Sequence, residues 1–235
     1  MKTLLCFDLD GTLTQHRTPL SDASRHLLDR LGERYRLLMV GAGAAERIYR
    51  QMQEYPIDVL GNYGMEEGRM VDGRFSIVRR ETSYPDRAYF TEKAQYLRKK
   101  YGYTAYDGEG VEFHSSGMVT FPLLGTAAAI EKKLAFDPDR AKRRQMYGEV
   151  LTLFPDYAVY IGGTSSFDFA ERRFNKYTAI MTYAEREGYT RDEILFVGDD
   201  FGDGGGDSHV RLGGMDYVEI ADYRTLSEKL AFLLR

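Results

Sequence analysis

The stretch LLCFDLDGTLT, residues 4–14, joins a short apolar run to two acidic side chains and a glycine. A continuous apolar run that ends at a turn signal is typical of a strand buried on both faces of a parallel sheet. Asp8 and Asp10 limit the apolar run to four residues, which argues against a signal peptide. The stretch therefore predicts an interior strand with two carboxylates at its carboxyl end.

Helices and apolar strands alternate in the segments that follow. A helix is predicted to begin at Ser21, a capping residue type, and to run to about residue 31. A strand is predicted at 36–40, a helix at 45–55 and a strand at 57–60. This order predicts an α/β fold whose core is a doubly wound, Rossmann-like parallel sheet.

The pattern changes near residue 82 and returns near residue 171. The intervening segment is predicted to contain helices at 86–101 and 138–154 and strands at 117–121, 157–161 and 165–169. After it, a helix is predicted at 176–187, a strand at 194–197, a strand at 217–220 and a helix at 225–234. We expect a core domain made of residues 1–81 and 171–235, with an α+β cap domain, residues 82–170, inserted into it.

Composition excludes several classes of protein. The 235 residues include 32 basic and 36 acidic side chains, a net charge of −4, so the chain has no bulk attraction for nucleic acid or anionic lipid. Cys6 is the only cysteine, which excludes an intrachain disulfide and a cysteine-based zinc cluster. No apolar run approaches the ~18 residues of a membrane span. We expect a cytoplasmic protein without a nucleic-acid or membrane partner.

Acidic side chains gather at the predicted carboxyl ends of the strands, where open parallel sheets bind ligands. They are Asp8, Asp10, Asp199 and Asp207, and Lys176 opens the helix that leads into the last of these strands. Two unit charges ~4 Å apart repel by about 4 kcal/mol at an effective dielectric near 20, so such a cluster needs a cation. Oxygen ligands favour Mg²⁺, and a lysine beside it suits a phosphoryl group.

The motif DLDGT, residues 8–12, with Lys176 and GDD at 198–200, closely resembles the haloacid dehalogenase superfamily of phosphoryl-transfer enzymes. The resemblance implies that Asp8 is the nucleophile, that Asp10 is the general acid/base and a metal ligand through its carbonyl, and that Lys176 bridges nucleophile and phosphate. It also implies that Asp199 and Asp207 complete an Mg²⁺ site with Asp8. Carboxylate attack divides a hard hydrolysis into two easier steps.

Three further segments resemble the eukaryotic-type phosphomannomutases within that superfamily. They are GDDFGDGGGD at 198–207, FHSSGM at 113–118 and GGTSSFD at 162–168, and the likeness covers nearly the whole chain. This resemblance implies that Ser166 and Asp168 contact sugar hydroxyls.

The chain departs from that family at several positions. The family's cap arginines, which hold the phosphate that is not transferred, correspond here to Ser115, Thr126 and Lys133, so Lys133 is the one cation left. A mutase needs a strong second anion site, whereas a phosphatase needs one phosphate site. The second-motif hydroxyl falls at Gly43, where backbone N–H groups can still face a phosphate.

These departures favour a phosphatase of small sugar or alcohol phosphates. A phosphomannomutase that interconverts mannose 1-phosphate and mannose 6-phosphate is the alternative in the same class, and a catalytically silent metal-binding relative is the alternative outside it. The tyrosine-rich insert makes a homodimer through the cap plausible. The basic run at 140–144 is interpreted as a solvated helix face.

Overall fold

Strands and helices alternate in the first part of the chain and again near its end. In this computed structural model, which describes residues 1–235, the strands are β1 (Leu4–Phe7), β2 (Arg36–Val40), β3 (Asp58–Gly61), β4 (Glu66–Val71), β5 (Arg74–Arg80), β6 (Glu112–Phe113), β7 (Val119–Pro122), β8 (Tyr157–Tyr160), β9 (Ser166–Glu171), β10 (Ile194–Gly198) and β11 (Tyr217–Glu219). The α-helices are α1 (Asp22–Gly32), α2 (Ala45–Gln51), α3 (Arg87–Tyr101), α4 (Ile130–Phe136), α5 (Ala141–Leu153), α6 (Lys176–Glu187), α7 (Ser208–Leu212) and α8 (Leu226–Lys229). None of them combines the length and apolar character that crossing a membrane requires.

The chain divides into two units. The first contains Met1–Glu81, Phe174–Asp203 and Asp207–Arg235, and the second contains Thr82–Arg173 and Gly204–Gly206. The sequence places the end of the insert at residue 170, a few residues before Arg173, and it gives no sign that the three glycines group with the second unit.

A seven-stranded sheet in the order β11-β10-β1-β2-β3-β4-β5 forms the first unit. The strands from β11 to β3 are parallel, and β4 and β5 close one side as an antiparallel hairpin. Leu5 and Phe7 of β1 pack into the apolar layer on one face, and Leu4 and Cys6 pack into the layer on the other. Burial on both faces is what a continuous apolar strand predicts, and the predicted α/β fold class is confirmed.

The helix α6 has strong local signals at both ends. The side chain of Asn175 accepts the N–H of Thr178, which bonds back in a capping box, and Gly188 ends the helix with φ 81°. These signals fix Lys176 as the first helical residue, as predicted.

Two predicted helices are shorter than expected. The helix predicted at 45–55 ends at Gln51, because Gln53 and Glu54 adopt positive φ values of 51° and 57°. The helix predicted at 225–234 is divided into α8 and a 3₁₀ turn at Ala231–Leu234.

A four-stranded antiparallel sheet in the order β6-β7-β9-β8 forms the second unit. Phe121 and Phe169 point to one face, where they join an apolar cluster with Phe90 of α3 and Met146 of α5. Because strand side chains alternate between faces, the neighbouring positions carry polar groups on the opposite face.

The basic run at 140–144 is not wholly a solvated face, and that interpretation is wrong for Arg143. Its side chain is 1% exposed, and its Nε donates to Asp137 Oδ2 over 2.8 Å. Arg143 lies on the buried face of α5 with Met146 and Val150. Its charge is therefore paired with Asp137 inside the unit and does not face solvent.

Candidate active site

Lys176 joins two of the predicted acidic residues. Its Nζ lies 2.7 Å from Asp8 Oδ1 and 2.6 Å from Asp207 Oδ1. The side chains of Lys176 and Asp207 are 3% and 0% exposed, and that of Asp8 is 13% exposed. The nucleophile candidate is therefore the member of this trio that solvent reaches most easily.

Asp199 completes a cluster of three carboxylates. Asp8, Asp199 and Asp207 each offer a carboxylate oxygen, and these oxygens all lie within 4.8 Å of one another. The hydroxyl of Thr12 donates to Asp199 Oδ1 over 2.9 Å and orients that side chain. A Cβ at Gly11, which has φ +99°, would lie 2.4 Å from Asp199 Oδ2, so only glycine fits this turn.

The backbone of the loop after β10 is held by Asp207. Its Oδ2 accepts the N–H groups of Asp199 and Asp200 at 3.1 and 3.0 Å, while its own N–H donates to the carbonyl of Asp200. A Cβ at Gly198 would lie 2.4 Å from the same oxygen. The loop therefore needs both the glycine and the buried carboxylate to present Asp199.

Burial and like charge make this cluster hard to ionise without a cation. Burial raises the pKa of Asp8 to about 8 against the lowering effect of Lys176, and Asp207 and Asp199 add to the rise. Burial, with repulsion from Asp207, likewise raises the pKa of Asp199 to about 6. For Lys176 burial acts in the opposite sense, but the two carboxylates prevail and raise its pKa.

A metal ion fits these residues. Three carboxylates share one lysine, which leaves negative charge uncompensated in a place where burial disfavours it. A bound divalent ion would favour the ionised carboxylates, and oxygen-only ligands suit a hard cation.

The side chain of Asp10 lies outside the three-carboxylate cluster. Its Oδ1 accepts the backbone N–H of Arg17 at 2.6 Å and the amide of Gln51 at 2.7 Å. The guanidinium of Arg47 lies 3.7 Å from its Oδ2. Three groups from the adjoining loop and from α2 therefore fix the proposed acid/base.

Gly43 lies in the loop between β2 and α2, beside Arg47. The backbone donors at this helix start are fewer than predicted, because the N–H of Ala45 donates to Glu66 Oε2 over 2.9 Å. Sequence reasoning missed Arg47 and Gln51, whose spacing of four residues on one helix face is the only signal that could have found them.

The polar face of the second unit carries Ser166 and Asp168. Asp168 Oδ1 accepts the hydroxyl of Thr120 at 2.7 Å, and that hydroxyl lies 3.0 Å from His114 Nε2. Burial raises the pKa of Asp168. The hydroxyl of Ser166 donates to the carbonyl of Gly162 over 3.1 Å, so both side chains are fixed.

Lys133, the remaining candidate cation of the cap, lies on α4. Its Nζ donates to the carbonyl of Thr126 over 2.8 Å, and the Thr126 hydroxyl accepts the N–H of Glu109. The side chains of Thr126 and Lys133 are thus engaged in hydrogen bonds within the second unit.

Known proteins resemble this chain in sequence and in fold. A scan against models of protein families finds no match. The chain is 26% identical to a phosphomannomutase of Saccharomyces cerevisiae and 28% identical to one of Schizosaccharomyces pombe, with 97% of this chain and 89% of each relative covered. Its fold matches that of a solved HAD subclass IIB sugar phosphatase with a TM-score of 0.65, at 15% identity and over 100% of both chains.

The chain therefore resembles the phosphomannomutases over nearly its whole length, and it has the fold of a sugar phosphatase of the haloacid dehalogenase superfamily. These likenesses support an enzyme of the phosphatase/phosphomutase type. The resemblance carried by residues 8–12 and 198–207 is confirmed.

Proposed function

We propose that this phosphomannomutase-like enzyme hydrolyses a small sugar phosphate through an aspartyl-phosphate on Asp8, with Mg²⁺ as cofactor. The observation that carries the proposal is the position of Lys176 Nζ between Asp8 and Asp207, with Asp199 in the same 4.8 Å cluster. A nucleophilic carboxylate, a fixed cation and surplus negative charge are what phosphoryl transfer with a divalent ion requires.

Asp8 and Asp10 would divide the reaction into two steps. In the first, an Asp8 oxygen forms a bond to phosphorus, the bond to the sugar oxygen breaks, and Asp10 gives that oxygen a proton. In the second, water forms a bond to phosphorus and passes a proton to Asp10, the bond between the Asp8 oxygen and phosphorus breaks, and inorganic phosphate leaves. The three groups that hold Asp10 suit it to exchange protons at one position.

Mg²⁺ would be held by Asp8, Asp199 and Asp207, with the carbonyl of Asp10. When bound, the ion supplies positive charge that offsets repulsion between the nucleophile and the phosphate dianion. Lys176 donates to Asp8 and would orient the attacking oxygen while it neutralises part of the phosphoryl charge.

Ser166 and Asp168 would contact sugar hydroxyls. Asp168 already accepts one hydroxyl, that of Thr120, and a carboxylate has room for further donors. Gly43 and Lys133 remain proposed phosphate contacts. The case for Lys133 is the weaker, because its ammonium already donates to the carbonyl of Thr126. A homodimer through the second unit remains a prediction.

A phosphomannomutase is the second candidate function. The two yeast relatives, which bear that name and match 97% of the chain, favour it. The lack of arginine at positions 115, 126 and 133 favours the phosphatase, since a mutase must also bind the second phosphate.

A substrate panel separates the two functions. The protein is incubated with Mg²⁺ and mannose 1-phosphate, mannose 6-phosphate or other hexose phosphates, with and without a hexose bisphosphate activator. We expect release of inorganic phosphate that EDTA stops and the activator does not require. Isomerised product without phosphate release would establish the mutase, and no turnover of any phosphoester would leave a metal-binding protein without activity.

A further inference from the structure

The guanidinium of Arg47 occupies the space beside Gly43. A Cβ built on Gly43 would lie 2.1 Å from Arg47 Nη2 and 2.4 Å from Nε. No side chain at position 43 is compatible with this placement of Arg47. The glycine in the loop and the arginine four residues later are therefore two parts of one feature.

Two neighbours hold the Arg47 guanidinium in place. Its Nη1 donates to Gln51 Oε1 over 2.7 Å, and its Nη2 lies 3.7 Å from Asp10 Oδ2. Gln51 in turn donates to Asp10 Oδ1 over 2.7 Å. The Arg47 side chain is still 48% exposed, so the fixed cation remains open to a ligand.

The sheet places this cation at the edge where the nucleophile lies. β1 and β2 are parallel neighbours with Phe7 opposite Met39, so the loops that follow them leave the same edge side by side. Asp8 follows β1 directly, and Gly43 follows β2 by three residues. The Arg47 contact with Asp10 ties the two loops together.

We infer that Arg47 is a second cationic contact for the transferred phosphoryl group, in the place that a side chain at position 43 would otherwise fill. This inference rests on the proposed function. Lys176 faces Asp8 and Asp207, and Arg47 adds a charge on the Asp10 side of the nucleophile. A guanidinium can give two parallel N–H donors to phosphate oxygens, and the ligand is a phosphomonoester dianion.

Substitutions of Arg47 test the contact with p-nitrophenyl phosphate as substrate and inorganic phosphate as inhibitor. For Arg47→Ala we expect kcat/KM to fall about 10- to 100-fold and inhibition by inorganic phosphate to weaken by a similar factor. Arg47→Lys should recover part of both. Arg50→Ala is the matched control, because Arg50 is an exposed arginine of the same helix and should behave as wild type.

Restoring a hydroxyl at position 43 gives a second, independent test. Gly43→Ser alone should lower kcat/KM, because its Cβ displaces the guanidinium. In the Arg47→Ala background the same change should raise kcat/KM and phosphate affinity above those of Arg47→Ala alone. If Arg47 were only structural, Gly43→Ser would not lower kcat/KM in wild type and raise it in the Arg47→Ala background.

Phosphate inhibition that is unchanged in Arg47→Ala would overturn the inference while the proposed function stands. Failure of the wild-type protein to turn over any phosphoester would overturn the proposed function instead. In that event calorimetric titration with inorganic phosphate and Mg²⁺ shows whether Arg47 contacts phosphate. Binding that is weaker in Arg47→Ala supports the inference, and equal or absent binding in the two proteins overturns it.

Discussion

Each unit of this protein buries a cation against carboxylates, but the charges balance in only one of them. In the second unit Arg143 meets one acid, Asp137, and its Nη1 donates to backbone carbonyls of residues 162, 163 and 166. In the first unit Lys176 meets two acids, and a third shares the cluster. A balanced pair can hold a loop in place, whereas surplus buried charge is relieved by a bound cation or by protonation.

The substitution Asp8→Asn is expected to have the largest effect. We expect turnover of p-nitrophenyl phosphate to fall on the order of 10⁴-fold or more, because the nucleophile is lost. The metal-free variant should be at least as stable as wild type in urea, because one unbalanced charge is gone. Asp22→Asn, at an exposed position in the first turn of α1, is the control. Turnover near that of wild type would reject Asp8 as the nucleophile.

Arg143→Met tests the balanced pair. Loss of the guanidinium leaves Asp137 buried without a counter-charge, which we expect to lower the free energy of unfolding by about 3–5 kcal/mol. Urea titration measures the loss, and Arg144→Met, on the exposed side of the same helix, should cost much less. Adding Asp137→Asn to Arg143→Met should recover part of the stability. A loss for Arg143→Met as small as that for Arg144→Met would show that the pair is not structural.

The surplus charge of the first unit should appear as a pH dependence of stability. Folding raises the pKa of Asp8 from its ordinary 3.8 to about 8 and that of Asp199 to about 6. Between pH 4 and 8 these two carboxyls therefore bind more protons in the folded, metal-free protein than in the unfolded chain, so their contribution to stability falls as pH rises and levels off above about 8.

Urea titrations at several pH values, in EDTA and in Mg²⁺, measure this dependence. Asp8→Asn should flatten the slope in EDTA. Mg²⁺ at 100 times its dissociation constant should stabilise wild type by about 2.7 kcal/mol at pH 8, and the same concentration should stabilise it less at pH 5. A stability in EDTA that rises with pH over this range would contradict the charge surplus.

The smallest expected effect is that of Asp168→Asn. We expect kcat/KM for the preferred sugar phosphate to fall about 10- to 100-fold, because a charged hydrogen-bond acceptor for a hydroxyl is lost. Turnover of p-nitrophenyl phosphate, which has no sugar hydroxyl, should stay as in wild type. Asp156→Asn, an exposed change in the same unit, is the control. Equal losses with both substrates would remove Asp168 from sugar recognition.

The first unit was the easier of the two to predict from sequence. Parallel strands bring their carboxyl ends to one edge, so apolar runs that end at Asp8 and Asp199 indicate a common site without any knowledge of the intervening chain. The capping box at Asn175 likewise places Lys176 at the start of α6. The local capping signal and the topology of the sheet both predict where the site residues lie in this unit.

The missed features depend on three-dimensional proximity. β6 has two residues and α4 buries none of its side chains, so neither has a periodic apolar pattern. The position of the Arg47 guanidinium depends on the Cβ that Gly43 lacks, and the spacing of Arg47 and Gln51 alone does not show it. Arg143 lies in a basic run whose charge suggests solvent, and only the packing of α5 shows that it faces inward.

The carboxylate of Asp207 has a further consequence. One of its oxygens receives the Lys176 ammonium, and the other receives two backbone amides of the loop that carries Asp199. The cation and the loop are thereby anchored to a single buried group before any ligand arrives. If Asp8 is the nucleophile, as proposed, the dipoles and charges around it would need little rearrangement during the reaction, and the reorganisation energy of each turnover would be small.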